Sequence, residues 1–154
     1  MQTGLLHLHS FLRWLVVLAG IWSIIRAFGG MQKGTPFTAT DKKAGLFFMI
    51  FCDIQLLVGL VLYVVGPWGI KNIQNMGMGE VMKNSVSRFF AMEHLVMMVI
   101  AIALVHIGKA QAKKNIPDAA KHKKTFIFFL VAMIIMFLSI PWPFREVGAG
   151  RGWF

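Results

Sequence analysis

The chain has 154 residues, of which 57% are hydrophobic and 14% are charged, and its formal net charge is +10. A soluble domain has about 25% charged residues, so this composition excludes an ordinary soluble enzyme, a disordered chain and a disulfide-rich secreted scaffold. The Lys and Arg residues occupy short gaps between apolar blocks, which is typical of an integral membrane protein and argues against a nucleic-acid-binding surface.

Four apolar blocks are long enough to cross a bilayer, which takes roughly 20 residues. They run from about 5–28, 44–65, 89–107 and 126–141. They are apolar on all sides and too long for membrane strands, which alternate apolar and polar residues. We therefore predict an all-α integral membrane protein, a four-helix up-down-up-down bundle that forms a single transmembrane domain over residues 1–154.

The first block does not have the pattern of a cleaved secretory signal. No Lys or Arg precedes it, and His7, His9 and Arg13 interrupt it. A signal peptide has a basic segment before an uninterrupted apolar stretch. We expect the chain to keep its first helix.

The basic residues predict an orientation. The gaps after helices 1 and 3 hold ten of them: Arg26, Lys33, Lys42, Lys43, Lys109, Lys113, Lys114, Lys121, Lys123 and Lys124. The other side holds five: Lys71, Lys83, Arg88, Arg145 and Arg151. The positive-inside rule therefore predicts both termini in the periplasm of a bacterial inner membrane, with Trp68 and Trp142 at the outer interface. His122 is predicted to lie in the basic loop after helix 3.

Two histidines are predicted at nearly the same depth. At 1.5 Å per residue, His9 lies about 6 Å below the outer end of helix 1, and His94 about 8–9 Å below the outer end of helix 3. Two imidazoles on facing helices can bind one haem iron from opposite sides. The alternative is two separate interfacial histidines that contact headgroups and water.

Two other histidines compete for these positions. His7 is rotated by about 200° from His9, and we favour His9 because His9 and Arg13 share one helix face. His106 lies about 18 Å below His94. We interpret His106 as an interfacial residue or as a candidate for a second site, together with His7 and Asp53.

The intramembrane charges need partners, because each costs about 2.5 kcal/mol or more near the bilayer centre. We predict an ion pair between Arg13 and Asp53, with Glu93 as the alternative partner of Arg13. Arg88 is predicted above His94, where a guanidinium could bind the haem propionates. The carboxylates could instead relay protons or bind a quinone head group.

Four segments of the sequence resemble those of a family of small bacterial four-helix membrane proteins that are called cytochrome b-like. They are HLHSFLRW, DIQLLVGLVLY, RFFAMEHLVMM and IPWPF. The resemblance implies that His9 and His94 are the family's motif histidines, accompanied by Arg13 and Glu93. It also implies a His in some relatives where this chain has Asp53, so that Asp53 is not an essential haem ligand.

We interpret the chain as an electron carrier or accessory subunit rather than a stand-alone catalyst. It would bind haem b through His9 and His94, and exchange electrons with a quinol, a periplasmic carrier or a larger respiratory complex. One alternative is a cofactor-free subunit of a membrane complex. The other is a small proton or metal transport component that uses Asp53, Glu93 and a loop with Met76, Met78 and Met82, since thioethers can hold Cu(I).

Overall fold

The structure is a computed structural model that describes residues 2–149 and 153, without the side chain of residue 2. It confirms the predicted all-α fold, and four of its helical segments are long and apolar enough to cross a membrane. The helices are α1 Gln2–Lys33, α2 Ala39–Val65, α3 Ile70–Met76, α4 Met78–Lys83, α5 Ser85–Arg88, α6 His94–Ala110 and α7 Asp118–Ser139. A π-helical turn over Phe89–Glu93 joins α5 to α6 as one continuous segment.

The four long helices form a ring in the order α1, α2, α6, α7, and each packs against its two neighbours. Consecutive long helices run in opposite directions, so α1 and α6 are parallel to each other and lie diagonally across the bundle. We call the end with the α1–α2 and α6–α7 connections the basic end. The opposite end, which carries the start of α1 and the α2–α6 connection, is the terminal end. Arg151, which was counted for the predicted orientation, lies outside the described residues.

All four long helices extend beyond the predicted apolar blocks at the basic end, and α6 does so least. The largest difference is in α7, which begins at Asp118 rather than near Phe126. The run of lysines in its first two turns lowers the hydropathy without preventing helix formation. His122 therefore lies in a helix, and its predicted place in a loop is wrong.

The basic end is fixed by polar contacts around the start of α2. Thr38 and Asp41 form a capping box, in which the Thr38 backbone N–H donates to Asp41 Oδ2 over 2.7 Å. Arg26 of α1 pairs with the other carboxylate oxygen of Asp41 over 2.7 Å. The Phe37 N–H donates to Asp118 Oδ2 at 3.0 Å. These contacts tie the α1–α2 connection to the start of α7 and set the register of three helices.

The middle of the bundle is packed around two aromatic rings. Phe48 of α2 and Phe129 of α7 are fully buried and meet edge to face, with ring centres 5.2 Å apart. Gly45 and Gly108 lie against the Phe129 ring, where a side chain would crowd it. Lipid is as apolar as these side chains, so the packing depends on close approach rather than on removal from water.

The π-helical turn lies directly before His94 and fixes which way α6 faces. A π turn contains one more residue than an α turn and is frequently found at functional sites. Tyr63 of α2 donates from its hydroxyl to the carbonyl oxygen of Ala91 in this turn, over 3.0 Å. This bond ties the turn to the neighbouring helix.

We expect Tyr63→Phe to lower the free energy of unfolding by about 0.6 kcal/mol, the average for a hydrogen bond between membrane helices. The ring stays in place, and only the bond to the Ala91 carbonyl is lost. Equilibrium unfolding in mixed micelles measures the change, with Val61→Leu on the exposed side of α2 as the control. A variant as stable as the wild type would show that the hydroxyl does not hold the turn.

Candidate functional site: a histidine-lined cavity

A cavity of about 550 Å³ occupies the half of the bundle nearer the terminal end. All four long helices contribute to its wall, and most of the lining is apolar. The polar side chains in its wall include His7, His9, Arg13, Gln55, Tyr63 and His94. Sites for small molecules and cofactors are commonly cavities of about 300–1,000 Å³ with few polar groups. The cavity is therefore the candidate site.

His9 and His94 meet across this cavity. Their ring centres are 6.3 Å apart and their planes are inclined by 68°. They lie on α1 and α6, the diagonal pair, so the predicted match in depth is confirmed. Gly59 of α2 lies beside His9, and a Cβ atom there would approach His9 Cε1 to 3.1 Å. Because Gly59 has no side chain, the His9 imidazole can pack directly against α2.

The orientation of His94 is set by the end of α7. The last carbonyls of a helix have no partner within the helix. The Ser139 carbonyl would need an N–H from residue 143, which is Pro143 and has none. His94 Nδ1 donates to this carbonyl oxygen over 2.7 Å, while Trp142 Nε1 donates to the Phe137 carbonyl at 3.0 Å. Because a carbonyl only accepts, Nδ1 carries the proton and the Nε2 lone pair of a neutral ring is available for a ligand.

Three polar atoms in side chains that line the cavity are buried and have no hydrogen-bond partner among the described residues. They are His9 Nδ1, Arg13 Nε and Gln55 Oε1. The amide nitrogen of Gln55 is engaged, because it donates to the His9 carbonyl at 2.9 Å. Unpaired buried polar atoms are rare and need an explanation such as a missing ligand or water. Their concentration in one cavity favours a bound polar or metal-containing group.

Arg13 lies in an aromatic cluster rather than in an ion pair. Its Cζ atom lies 5.5 Å from the centre of the Trp14 ring and 5.6 Å from that of Trp142. Its Nη2 donates to the Trp153 carbonyl over 2.5 Å. The predicted pair with Asp53 is wrong, because Asp53 is about 100° around α2 from the cavity face that carries Cys52. Arg13 is therefore a cation beside the cavity with one guanidinium nitrogen unpaired.

Arg88 and Glu93 were predicted beside the haem but line a different cleft. Arg88 Nε and Glu93 Oε1 are 2.6 Å apart, so the alternative pairing of Glu93 with Arg13 is also wrong. Their cleft has a volume of about 320 Å³, and its wall includes Met82, Met92 and Met97 but neither His9 nor His94. Glu93 and His94 are neighbours in the chain, so helical geometry places their side chains on different faces of the segment.

The second-site candidates are also separated from one another. His7 lines the main cavity on the exposed side of α1. Asp53 of α2 and His106 of α6 form a pair of their own, with Oδ1 and Nε2 2.8 Å apart on the outer surface of the bundle. Neither of these two lines the cavity, so both are distant from any ligand bound at His9 and His94.

Other polar residues were missed by the sequence reasoning. Gln55 is uncharged and gives no signal among the intramembrane ionisable residues, although it lies one helical turn from Gly59. His122 is 1% exposed and has both ring nitrogens unpaired, with its ring centre 4.8 Å from that of Phe37. Gly30 of α1 lies against this ring. The helical spacing could have identified Gln55, but nothing in the sequence indicates that His122 is buried.

No group of three His, Cys, Asp or Glu side chains comes together as a metal site in residues 2–149 and 153. Searches of protein-family models, curated proteins and solved structures each returned no match to the chain. Because a fold alone does not define a function, the function is argued from the cavity and its side chains.

Proposed function

We propose that this membrane protein is an electron carrier that binds one b-type haem through His9 and His94. The observation that carries the proposal is the contact of these two imidazoles across a cavity inside the bundle. Four-helix bundles commonly hold cofactors between facing helices. Haem bound there would supply a one-electron redox centre.

The distance between the rings supports two ligands to one metal ion. Metal–imidazole bonds are about 2 Å long, so two imidazoles on opposite sides of an ion have ring centres roughly 6 Å apart. The centres of His9 and His94 are 6.3 Å apart. A haem iron takes four ligands from its own macrocycle, so two protein ligands are sufficient.

The donor chemistry of the two residues fits this group. His94 donates from Nδ1 to a backbone carbonyl, and metal-binding histidines almost always make such a bond with the nitrogen that does not bind metal. His9 has a buried ring nitrogen with no partner, which a metal ion or a polar ligand would satisfy. The apolar wall of the cavity excludes water from both.

Arg13 would tune the site through its charge. Its guanidinium is held between Trp14 and Trp142 beside the cavity. A fixed positive charge favours the state of a redox centre that carries more electrons, so Arg13 would raise the reduction potential. Arg88 and Glu93 neutralise each other in a separate cleft, and we assign them no contact with the haem.

The proposal includes a location and a redox partner. The lysines and arginines gathered around the basic end favour a cytoplasmic position for that end and a periplasmic position for the terminal end. The membrane would be a bacterial inner membrane. A membrane quinol or a larger respiratory complex is the redox partner that suits a centre embedded in the bilayer.

The test is the reduced-minus-oxidised absorbance spectrum of protein purified from haem-replete cells. We expect sharp bands from one haem per chain, lost in His9→Ala and in His94→Ala. His106→Ala is the matched control, because this histidine lies outside the cavity, and it should retain the bands. A colourless wild-type protein from the same cells would refute the proposal.

One observation favours a cofactor-free subunit instead. His9 and His94 meet edge to face, and aromatic rings in this arrangement attract each other without a ligand. In that case the purified protein is colourless, and it co-purifies with a fixed set of membrane proteins. His94→Ala would then reduce stability without removing any absorbance band.

A further inference from the structure

The outer surface of the bundle carries a polar pair in the middle of an apolar face. His106 Nε2 and Asp53 Oδ1 are 2.8 Å apart, and the side chains are 48% and 41% exposed. The residues that surround the pair on α2 and α6 are exposed and apolar: Ile50, Ile54, Leu57, Val99 and Ile107. We call this surface the α2–α6 face.

The pair lies within the membrane-spanning parts of α2 and α6. At 1.5 Å per residue, Asp53 is about 15 Å along α2 from Lys43 and about 18 Å from Val65, where the helix ends, while His106 is about 4.5 Å along α6 from Lys109. Ionisable side chains within membrane spans almost always face the interior of a bundle or a water-filled cavity. An outward-facing pair indicates that another protein surface covers it.

The hydrogen-bonding groups of the pair indicate what kind of protein surface covers it. The bond within the pair uses His106 Nε2 and Asp53 Oδ1. The other ring nitrogen, His106 Nδ1, can donate a hydrogen bond, and the other carboxylate oxygen, Asp53 Oδ2, can accept one. One donor and one acceptor side by side form a self-complementary surface.

We propose that two copies of this chain associate in the membrane through the α2–α6 face. In each copy, His106 Nδ1 donates to Oδ2 of the other copy's Asp53. A twofold axis produces this arrangement, because the same patch then meets itself and every contact occurs twice. Ala103, one turn before His106, is exposed and small, so the second copy can approach closely. The inference does not depend on haem binding.

The first test counts subunits of fluorescently labelled protein in lipid vesicles by single-molecule photobleaching. We expect the wild type to be dimeric. The double variant Asp53→Leu/His106→Leu removes both polar groups together, so it leaves no buried charge and keeps the fold. We expect it to weaken dimerisation roughly tenfold, because two hydrogen bonds between helices are lost. A matched control, Leu18→Ala/Leu138→Ala on the α1–α7 side, should dimerise like the wild type.

The second test locates the interface with a bifunctional maleimide. Cys52 is buried, so the cross-links report on introduced cysteines. Leu57→Cys and Leu138→Cys replace side chains that are 63% and 61% exposed on opposite sides of the bundle. Cross-linking between copies at position 57 and not at position 138 supports the proposal. A monomeric wild type, an equally dimeric double variant or preferential cross-linking at position 138 overturns it.

Discussion

Replacing Gly30 by alanine should lower the free energy of unfolding by about 1–3 kcal/mol, the usual cost of an overpacked core. A Cβ atom at this position would overlap three atoms of the His122 ring. The ring cannot move away easily, because His122 is 1% exposed and also packs against Phe37. The change therefore forces α1 and α7 apart at this position.

The neighbouring glycine provides a matched control. A Cβ atom at Gly29 meets nothing within 4 Å, and alanine is a better helix former than glycine by up to about 1 kcal/mol. Gly29→Ala should therefore stabilise the protein or leave it unchanged. Equilibrium unfolding in mixed micelles compares the two. If Gly30→Ala is as stable as Gly29→Ala, the result contradicts the close packing of the His122 ring against Gly30. Adding His122→Ala should restore much of the stability lost in Gly30→Ala, because the two sites are coupled.

Replacing Gly59 by leucine should abolish haem binding, although both proposed ligands remain in the chain. The first atom of the new side chain would lie 3.1 Å from His9 Cε1. The atoms beyond it would extend into the cavity, which Gly59 lines. A haem bound between His9 and His94 would occupy that space, so the leucine should exclude it. The absorbance spectrum of the purified variant measures the loss.

Comparing a small and a large side chain at position 59 distinguishes a cofactor site in the cavity from a direct contact between the His9 and His94 rings. Gly59→Ala adds one carbon and requires His9 to move by a few tenths of an ångström, so this variant should retain haem. Val61→Leu, on the exposed side of the same helix, should behave like the wild type. Haem retained in Gly59→Leu would show that the cofactor lies outside the cavity, and the proposed site would have to be abandoned.

The bundle could be predicted from the sequence because lipid requires every spanning segment to satisfy its own backbone hydrogen bonds. Length and hydropathy therefore identified four helices. The same measures failed at the basic end of α7, where three lysines and His122 lie within a helix. Hydropathy identifies only segments that are apolar enough to lie in the bilayer. The first turns of α7 are polar and are stabilised by contacts with the rest of the protein, such as the Phe37–Asp118 hydrogen bond.

Depth along the helices could also be predicted, since the rise per residue is constant. The predicted depths of His9 and His94 match, and the two rings are in contact in the structure. Rotation around the helices could not be predicted, because it depends on packing. Asp53 was therefore assigned to Arg13 rather than to His106, and the π turn before His94 gave no signal in the sequence.

The bond from His94 to the Ser139 carbonyl has a consequence for the biogenesis of the protein. His94 belongs to α6, but the group that selects its tautomer belongs to the end of α7, which leaves the ribosome later. An imidazole on a freshly inserted α6 is free to rotate and to exchange its proton between two nitrogens. The ligand geometry is completed only when the last spanning helix has been inserted and docked. If the proposed haem site is correct, loading of the cofactor would follow insertion of α7.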